Sequence, residues 1–276
     1  MYIKKVQAHI IRNSRGEKTI QIVVNNRYKA SAPSGASTGS HEVAPFSQKG
    51  IQFSVDFINK HPHFKDFTLD NFSDLALFDP FISVIGGNAV VALQTACLRA
   101  LSSGDIAPFL SSRLRFPTPL GNCIGGGVHT SFPATDIQEF LLLPQAKTFE
   151  EKTALNRYVY DIIGKMTAVK NKTDEGAFVL QKSNEEVFSF LSKLLDTLNE
   201  YGLSFQLGVD MAATQFYSQG KYHYTNYSFT QKEKLLSRSA QINYVNTLVK
   251  EYKLAYMEDP LYEEDFSGFS QIRKKT

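Results

Sequence analysis

The chain has 276 residues, 42% apolar and 21% charged, with a net charge of +3. That length admits one large domain or two modest ones. The acids and bases are interspersed, which excludes a strong pull toward nucleic acid or an anionic membrane surface, and no window approaches the roughly 18 apolar residues of a spanning helix.

The first forty residues read as a small antiparallel sheet. VQAHIIRN alternates toward a turn at SRGEK, TIQIVVNN follows, and RYKASAP supplies a third strand. SGASTGSHE is then a loop of small residues. KGIQFSVDFINKH and NAVVALQTACLRALSS carry apolar residues at helical spacing, the second with Asn88 near its start. FPTP at 116–119 is the best linker, which predicts domains at 1–115 and 116–276. Beyond it, CIGGG, EFLLLP, FQLGVD and LAYMED are short apolar strand-like runs. FEEKTALNRYVYDIIGKMTAV, NEEVFSFLSKLLDTLNEYG and SRSAQINYVNTLVKEY are helical, KYHYTNYSFT is a small excursion, and FSGFSQIRKK starts another helix. Strands alternating with helices predict a parallel α/β sheet, of which a barrel is one form; about four barrel-type strands can be counted, against eight in a closed barrel.

Cys97 and Cys123 lie in no CxxC or Cys/His pattern and read as packing residues of a reduced, intracellular chain. MYIKKVQAHIIRNSRGEK lacks the apolar core of a secretory signal. A cytoplasmic location follows as the expectation, and the terminal RKKT reads as a frayed tail.

Two apolar runs end in acids, at Asp210 and at Glu258–Asp259. In parallel α/β folds the carboxyl ends of the strands floor the site, and carboxylates converging there are hard oxygen ligands suited to Mg²⁺. Against this stands the ordinary use of such acids as caps of the following segment. Gln138 and Glu139 directly precede an apolar strand, where solvated polar residues are common. Asp174 and Glu175 precede a glycine, as in many tight turns. His129 adjoins three glycines, which let backbone approach a ligand closely, although a loop histidine is more often plain polar surface. SGASTG can wrap an anion with backbone amides, but it lacks the lysine and the strand–loop–helix setting of a P-loop.

Taken in order along the chain, these pieces resemble enolase. NSRGEKTIQIVV is similar to the opening hairpin of that family, SAPSGASTGSHE to its mobile loop, and GGNAVVALQTACLRA to the long helix of its N-terminal domain. GGGVHT with DIQEFLLLP, TDEGAF, LGVDMAATQFY with GKYHY, and YMEDPLYEEDF resemble successive stretches of its active site. The resemblance implies a small N-terminal α+β domain, an antiparallel sheet plus helices, followed by an incomplete enolase-type (β/α) barrel. It implies reversible dehydration of 2-phosphoglycerate to phosphoenolpyruvate, a Mg²⁺-dependent lyase reaction of glycolysis and gluconeogenesis. Asp210 and Glu258 would be ligands of a first Mg²⁺, and Ser37 of a second that arrives with substrate. Glu175 would be the acid glutamate and Glu139 its partner. His129, Gln138, Glu139 and Ser37 would contact substrate, and Asp259 would be structural. A homo-oligomer is expected, typically a dimer.

Departures from the family pattern are also readable. Ala177 replaces a glycine in the DEGG turn, where a positive φ would strain it. One extra residue separates His129 from Glu139, and the stretch between the mobile loop and His129 is short. No counterpart of the third metal carboxylate, the lysine base, or the groups that hold phosphate and carboxylate is found. Lys274 and Lys275 fall in a terminal helical pattern and make poor bases. The expectation is therefore the N-terminal portion of an enolase, or one half of a split enzyme completed by a second chain. The alternatives are a catalytically inactive enolase-like binding protein and another metal-dependent enzyme of the superfamily. SGASTG and the histidine with its Gln-Glu pair argue against the last.

Overall fold

A computed structural model describes residues 1–35 and 38–274. The chain divides into two compact units, Met1–Arg115 and Phe116–Thr276.

The first unit is built on four antiparallel strands. β1 (Tyr2–Arg12) and β2 (Lys18–Val24) form the hairpin. Its turn closes although it lacks Asn-Gly: Asn13 Oδ1 accepts from the backbone N–H groups of Arg15 and Glu17, and Gly16 takes φ 79°. β3 (Tyr28–Ser31) pairs with β2. After α1 (Ile51–Lys60) the chain returns as β4 (Lys65–Thr68), which pairs with the other side of β1. The sheet order is β3-β2-β1-β4. α2 (Ile82–Ile85), α3 (Gly87–Leu101) and α4 (Ile106–Leu110) follow. Val6, Ala8, Ile20, Ile22 and Val24 bury one sheet face against Ala89, Leu93, Ala96 and Cys97 of α3. Each large side chain among them contributes about 1.5–3 kcal/mol, an upper figure. Asn88 lies inside α3 rather than at its cap, and its amide donates to Ser34 Oγ at 3.0 Å.

The second unit opens with β5 (Gly121–Gly125) and β6 (Glu139–Pro144), followed by α5 (Phe149–Thr167) and α6 (Asn184–Glu200). Both helices start in capping boxes, Thr148 with Glu151 and Ser183 with Glu186. Then come β7 (Phe205–Asp210), a small three-stranded sheet of β8 (Tyr217–Ser218), β9 (Lys221–Tyr224) and β10 (Lys234–Ser237), the helix α7 (Arg238–Glu251), β11 (Tyr256–Glu258) and α8 (Phe266–Arg273). Among the described residues the main sheet runs β11-β7-β6-β5 and does not close into a barrel. Phe140, Leu142, Leu207 and Val209 project from it into one core with Val159 and Ile163 of α5, Phe188 and Leu191 of α6, and Val245 and Leu248 of α7.

The expected parallel sheet is corrected on one point. In the main sheet β7 and β11 run parallel, while β6 is antiparallel to both β5 and β7. The connections explain this. A single crossover helix returns a chain to the end where its strand began, giving a parallel neighbour, and α7 does so between β7 and β11. Two helices in succession, α5 and α6, cross twice and deliver β7 from the end where β6 finished. Between β5 and β6 no full helix intervenes. Among the described residues no helix is long and apolar enough to cross a membrane.

Candidate active site

The inverted direction of β6 builds the site. Glu139 begins its strand, whereas Asp210 and Glu258 end theirs. Because β6 runs opposite to β7, Glu139 pairs with Asp210, and Asp210 in turn pairs with Glu258 across the parallel ladder. Three acids thus stand in one cross-strand row at one end of the sheet. Residues paired in this way project from the same face. It is the face opposite Phe140, Leu142, Leu207 and Val209, which turn into the core.

Glu139 is pushed well above the usual carboxylate range. Burial is the largest cause, followed by a hydrogen bond with Glu175 and the negative charges of Glu175, Asp210 and Glu258. Asp210 is pushed up to about 6, again mainly by burial, with Glu258 and Asp259 adding to it. Two donors work in the other direction: Ala212 N–H reaches Asp210 Oδ1 at 2.9 Å, and Gln138 Nε2 reaches Oδ2 at 3.2 Å.

Glu175 enters from the turn at 173–177. Thr173 N–H donates to Ala177 O, Gly176 N–H to Thr173 O, and Ala177 N–H to Thr173 Oγ1. The positive φ of this turn, 88°, falls on Gly176, so Ala177 carries none of the strain that its substitution for glycine suggested. Ala177 is instead buried against Gly125. A Cβ added at residue 125 would lie 3.2 Å from the Ala177 methyl and 2.7 Å from Thr173 Cγ2.

His129 is buried, and its Nδ1 lies 2.7 Å from Asp174 Oδ1. With that N–H donating to the carboxylate, Nε2 is the nitrogen left to face a ligand. One ligand atom from each of His129, Glu139 and Glu175 lies within 4.8 Å of the others. The glycines beside His129 serve the protein's own packing. A Cβ on Gly126 would meet Thr135 Oγ1 at 2.3 Å and Thr135 O at 2.4 Å.

Of the residues singled out from sequence, His129, Gln138, Glu139, Glu175, Asp210 and Glu258 are therefore gathered in the second unit. Ser37 lies outside the described residues. Asp259 sits beside the row in left-handed backbone at φ 41°, and its carbonyl accepts from Ala213 N–H. Ala212, two residues after Asp210, is left-handed as well. Non-glycine residues rarely adopt that region, and such strain gathers at functional sites.

Three supporting residues escaped the sequence reading as site groups. Asp174 was visible only as part of a turn. Asn184, at the start of α6, is fully buried, and its Oδ1 accepts from Asp136 N–H at 2.9 Å and Ile137 N–H at 3.2 Å, directly before Gln138. Tyr256 donates its hydroxyl to Glu258 Oε2 at 2.8 Å. Nothing in the sequence marks the last two, because both act through the fold.

The donor set fits a divalent cation. Asp210 and Glu258 offer only hard carboxylate oxygens, and the charges that raise Asp210 are themselves acids. Gln138 Oε1 is buried and has no hydrogen-bond partner among the described residues, which leaves an oxygen lone pair unused there. Beside the row, Gln138, Met211 and Ala212 border a cavity of about 660 Å³ that Lys182, His223 and Lys232 also line.

Residues 113–276 match the family model described as the C-terminal TIM barrel domain of enolase. Similar curated proteins are enolases. That of Thermoplasma acidophilum is 33% identical over 293 residues, covering 98% of this chain and 71% of the relative. That of Archaeoglobus fulgidus is 34% identical over 294 residues, covering 100% and 71%. The enolase of Ehrlichia ruminantium is 29% identical over 309 residues, covering 99% and 70%.

Proposed function

Because the chain belongs to the enolase family, we propose that it carries one part of a magnesium-dependent site for the reversible dehydration of 2-phosphoglycerate to phosphoenolpyruvate. In this reading Met1–Arg115 is the N-terminal domain and Phe116–Thr276 the first part of the barrel domain. Further polypeptide, from a second chain in the split form of the idea, supplies the remaining strands. The observation that carries it is the cross-strand row Glu139–Asp210–Glu258 with Glu175 and His129 beside it.

Asp210 and Glu258 would hold the first Mg²⁺, with Ser37 at a second. Bound Mg²⁺ would supply electrostatic stabilisation of the charge that develops on the substrate carboxylate when the neighbouring carbon loses its proton. The chain's own residues handle the other end of the substrate. Glu139 is hydrogen-bonded with Glu175 and crowded by acids, and with burial these push its carboxyl up to about 8, so Glu139 holds a proton at neutral pH. A retained proton is what a general acid needs in order to help the 3-hydroxyl leave as water. Asp174 fixes the ring of His129, and Gln138 is fixed by its bond to Asp210, so both present defined donors or acceptors to substrate.

The test is a continuous absorbance assay for phosphoenolpyruvate. The chain alone should show no useful turnover. Addition of a polypeptide carrying the later barrel strands of a family member should produce turnover that Glu175→Gln abolishes. Full activity of the chain alone would overturn the half-site reading. Failure of every complementing polypeptide, with the complex formed, would favour the inactive enolase-like binding protein.

A further inference from the structure

Glu258 stands on the sheet's outermost strand, where it is exposed. A glutamate there has several free torsions, and ordering such a side chain costs up to about 2 kcal/mol. A ligand that must be frozen at the moment of binding binds weakly. The structure provides a device against this cost. Tyr256, two residues earlier on the same strand, projects from the same face and donates its hydroxyl to Glu258 Oε2 at 2.8 Å. The bond occupies one oxygen and leaves Oε1 without a partner among the described residues. The site for the tyrosine is made by its neighbour in register. Tyr256 pairs with Gly208 of β7, and a Cβ at residue 208 would stand 2.8 Å from Tyr256 Cβ. Glycine at 208 is therefore what lets the tyrosine stand beside the acid row.

We propose that Tyr256 is a positioning residue that pre-orients the Glu258 carboxylate for a divalent cation. This rests on the reading of Asp210 and Glu258 as metal ligands and deepens it. Partners of metal ligands are typically worth about 10–100-fold in metal affinity. The hydroxyl, not the ring, is the part at issue, so Tyr256→Phe keeps the packing over Gly208 and removes only the donor.

The experiment is calorimetric titration of Mg²⁺, and of Mn²⁺ with paramagnetic resonance as a second readout, into the full chain and its variants. Tyr256→Phe should weaken binding of both cations about tenfold or more, while the melting temperature without metal stays that of the wild type. Equal or tighter binding by Tyr256→Phe, with Asp210→Asn losing binding, would overturn the positioning role and leave the metal site standing. Wild type that binds neither cation, or Asp210→Asn that binds as well as wild type, would overturn the metal-site reading and this inference with it. Weakened binding accompanied by a lower metal-free melting temperature would also count against it, since the residue would then be acting on the fold.

Discussion

Asp210 accepts two hydrogen bonds that favour its ionised form, yet its carboxyl is pushed up to about 6 because burial and the neighbouring acids outweigh them. Its folded value lies above the ordinary carboxylate range, so the proton stabilises the fold. That contribution is complete at about pH 4 and is lost as pH rises through about 6. In metal-free buffer the stability advantage of wild type over Asp210→Asn should therefore shrink by about 1–2 kcal/mol between pH 4 and 7, after allowance for solvent screening. Added Mg²⁺ should restore it to the wild type alone. Chemical denaturation at a series of pH values decides this, and parallel curves for the two proteins would defeat it. At this scale the sequence was informative where an acid ends an apolar run, as Asp210 and Glu258 do. It could not place Glu139, whose neighbour depends on the direction of β6, nor reveal that Gly176 rather than Ala177 absorbs the positive φ.

The elements themselves were largely readable, because both helical and strand periodicities were strong, and the capping boxes of α5 and α6 mark their starts. β4 was missed: three of its four residues are exposed and its pairing to β1 is tertiary. The parallel expectation failed for β6 because two helices, not one, follow it. The second of those helices, α6, supplies the clamp on the site. Asn184 opens α6 and holds the backbone of Asp136 and Ile137 immediately before Gln138 and Glu139, while Asp136 accepts from Thr225 and Asn226 on the small sheet's loop. Removing the amide strands two backbone donors at a buried position, each costing about 1–3 kcal/mol. Asn184→Ala should lose about 2–3 kcal/mol in urea titration, with faster amide exchange concentrated at 136–139. Loss below about 0.5 kcal/mol would show that water or the loop replaces the clamp without cost.

At the scale of the whole molecule, the two edges of the main sheet differ. The outer edge of β5 is engaged by residues 177–179: Gly125 N–H donates to Phe178 O, and Phe178 N–H to Cys123 O. Beyond β11 no strand follows among the described residues. A groove of about 370 Å³ lies there instead, lined by Leu254, Tyr256, Met257, Phe269 and Ile272. An uncovered edge of this kind is a template for another strand, and barrels avoid the hazard by closing. A polypeptide of these 276 residues should therefore self-associate or fray at β11, and more so than at β5. Light scattering should report association at micromolar concentrations. Hydrogen exchange should show β7, paired on both sides, well protected, and β11 much less so. A polypeptide supplying the next strand should abolish the scattering and protect 256–258 together, since both follow from one pairing event. The acids should respond in the same experiment: with β11 anchored, Glu258 is held against Asp210 and divalent-cation affinity should rise. A monodisperse monomer with strong protection across 205–260 would mean that the edge at β11 is already satisfied, and would remove the reason for seeking a second polypeptide.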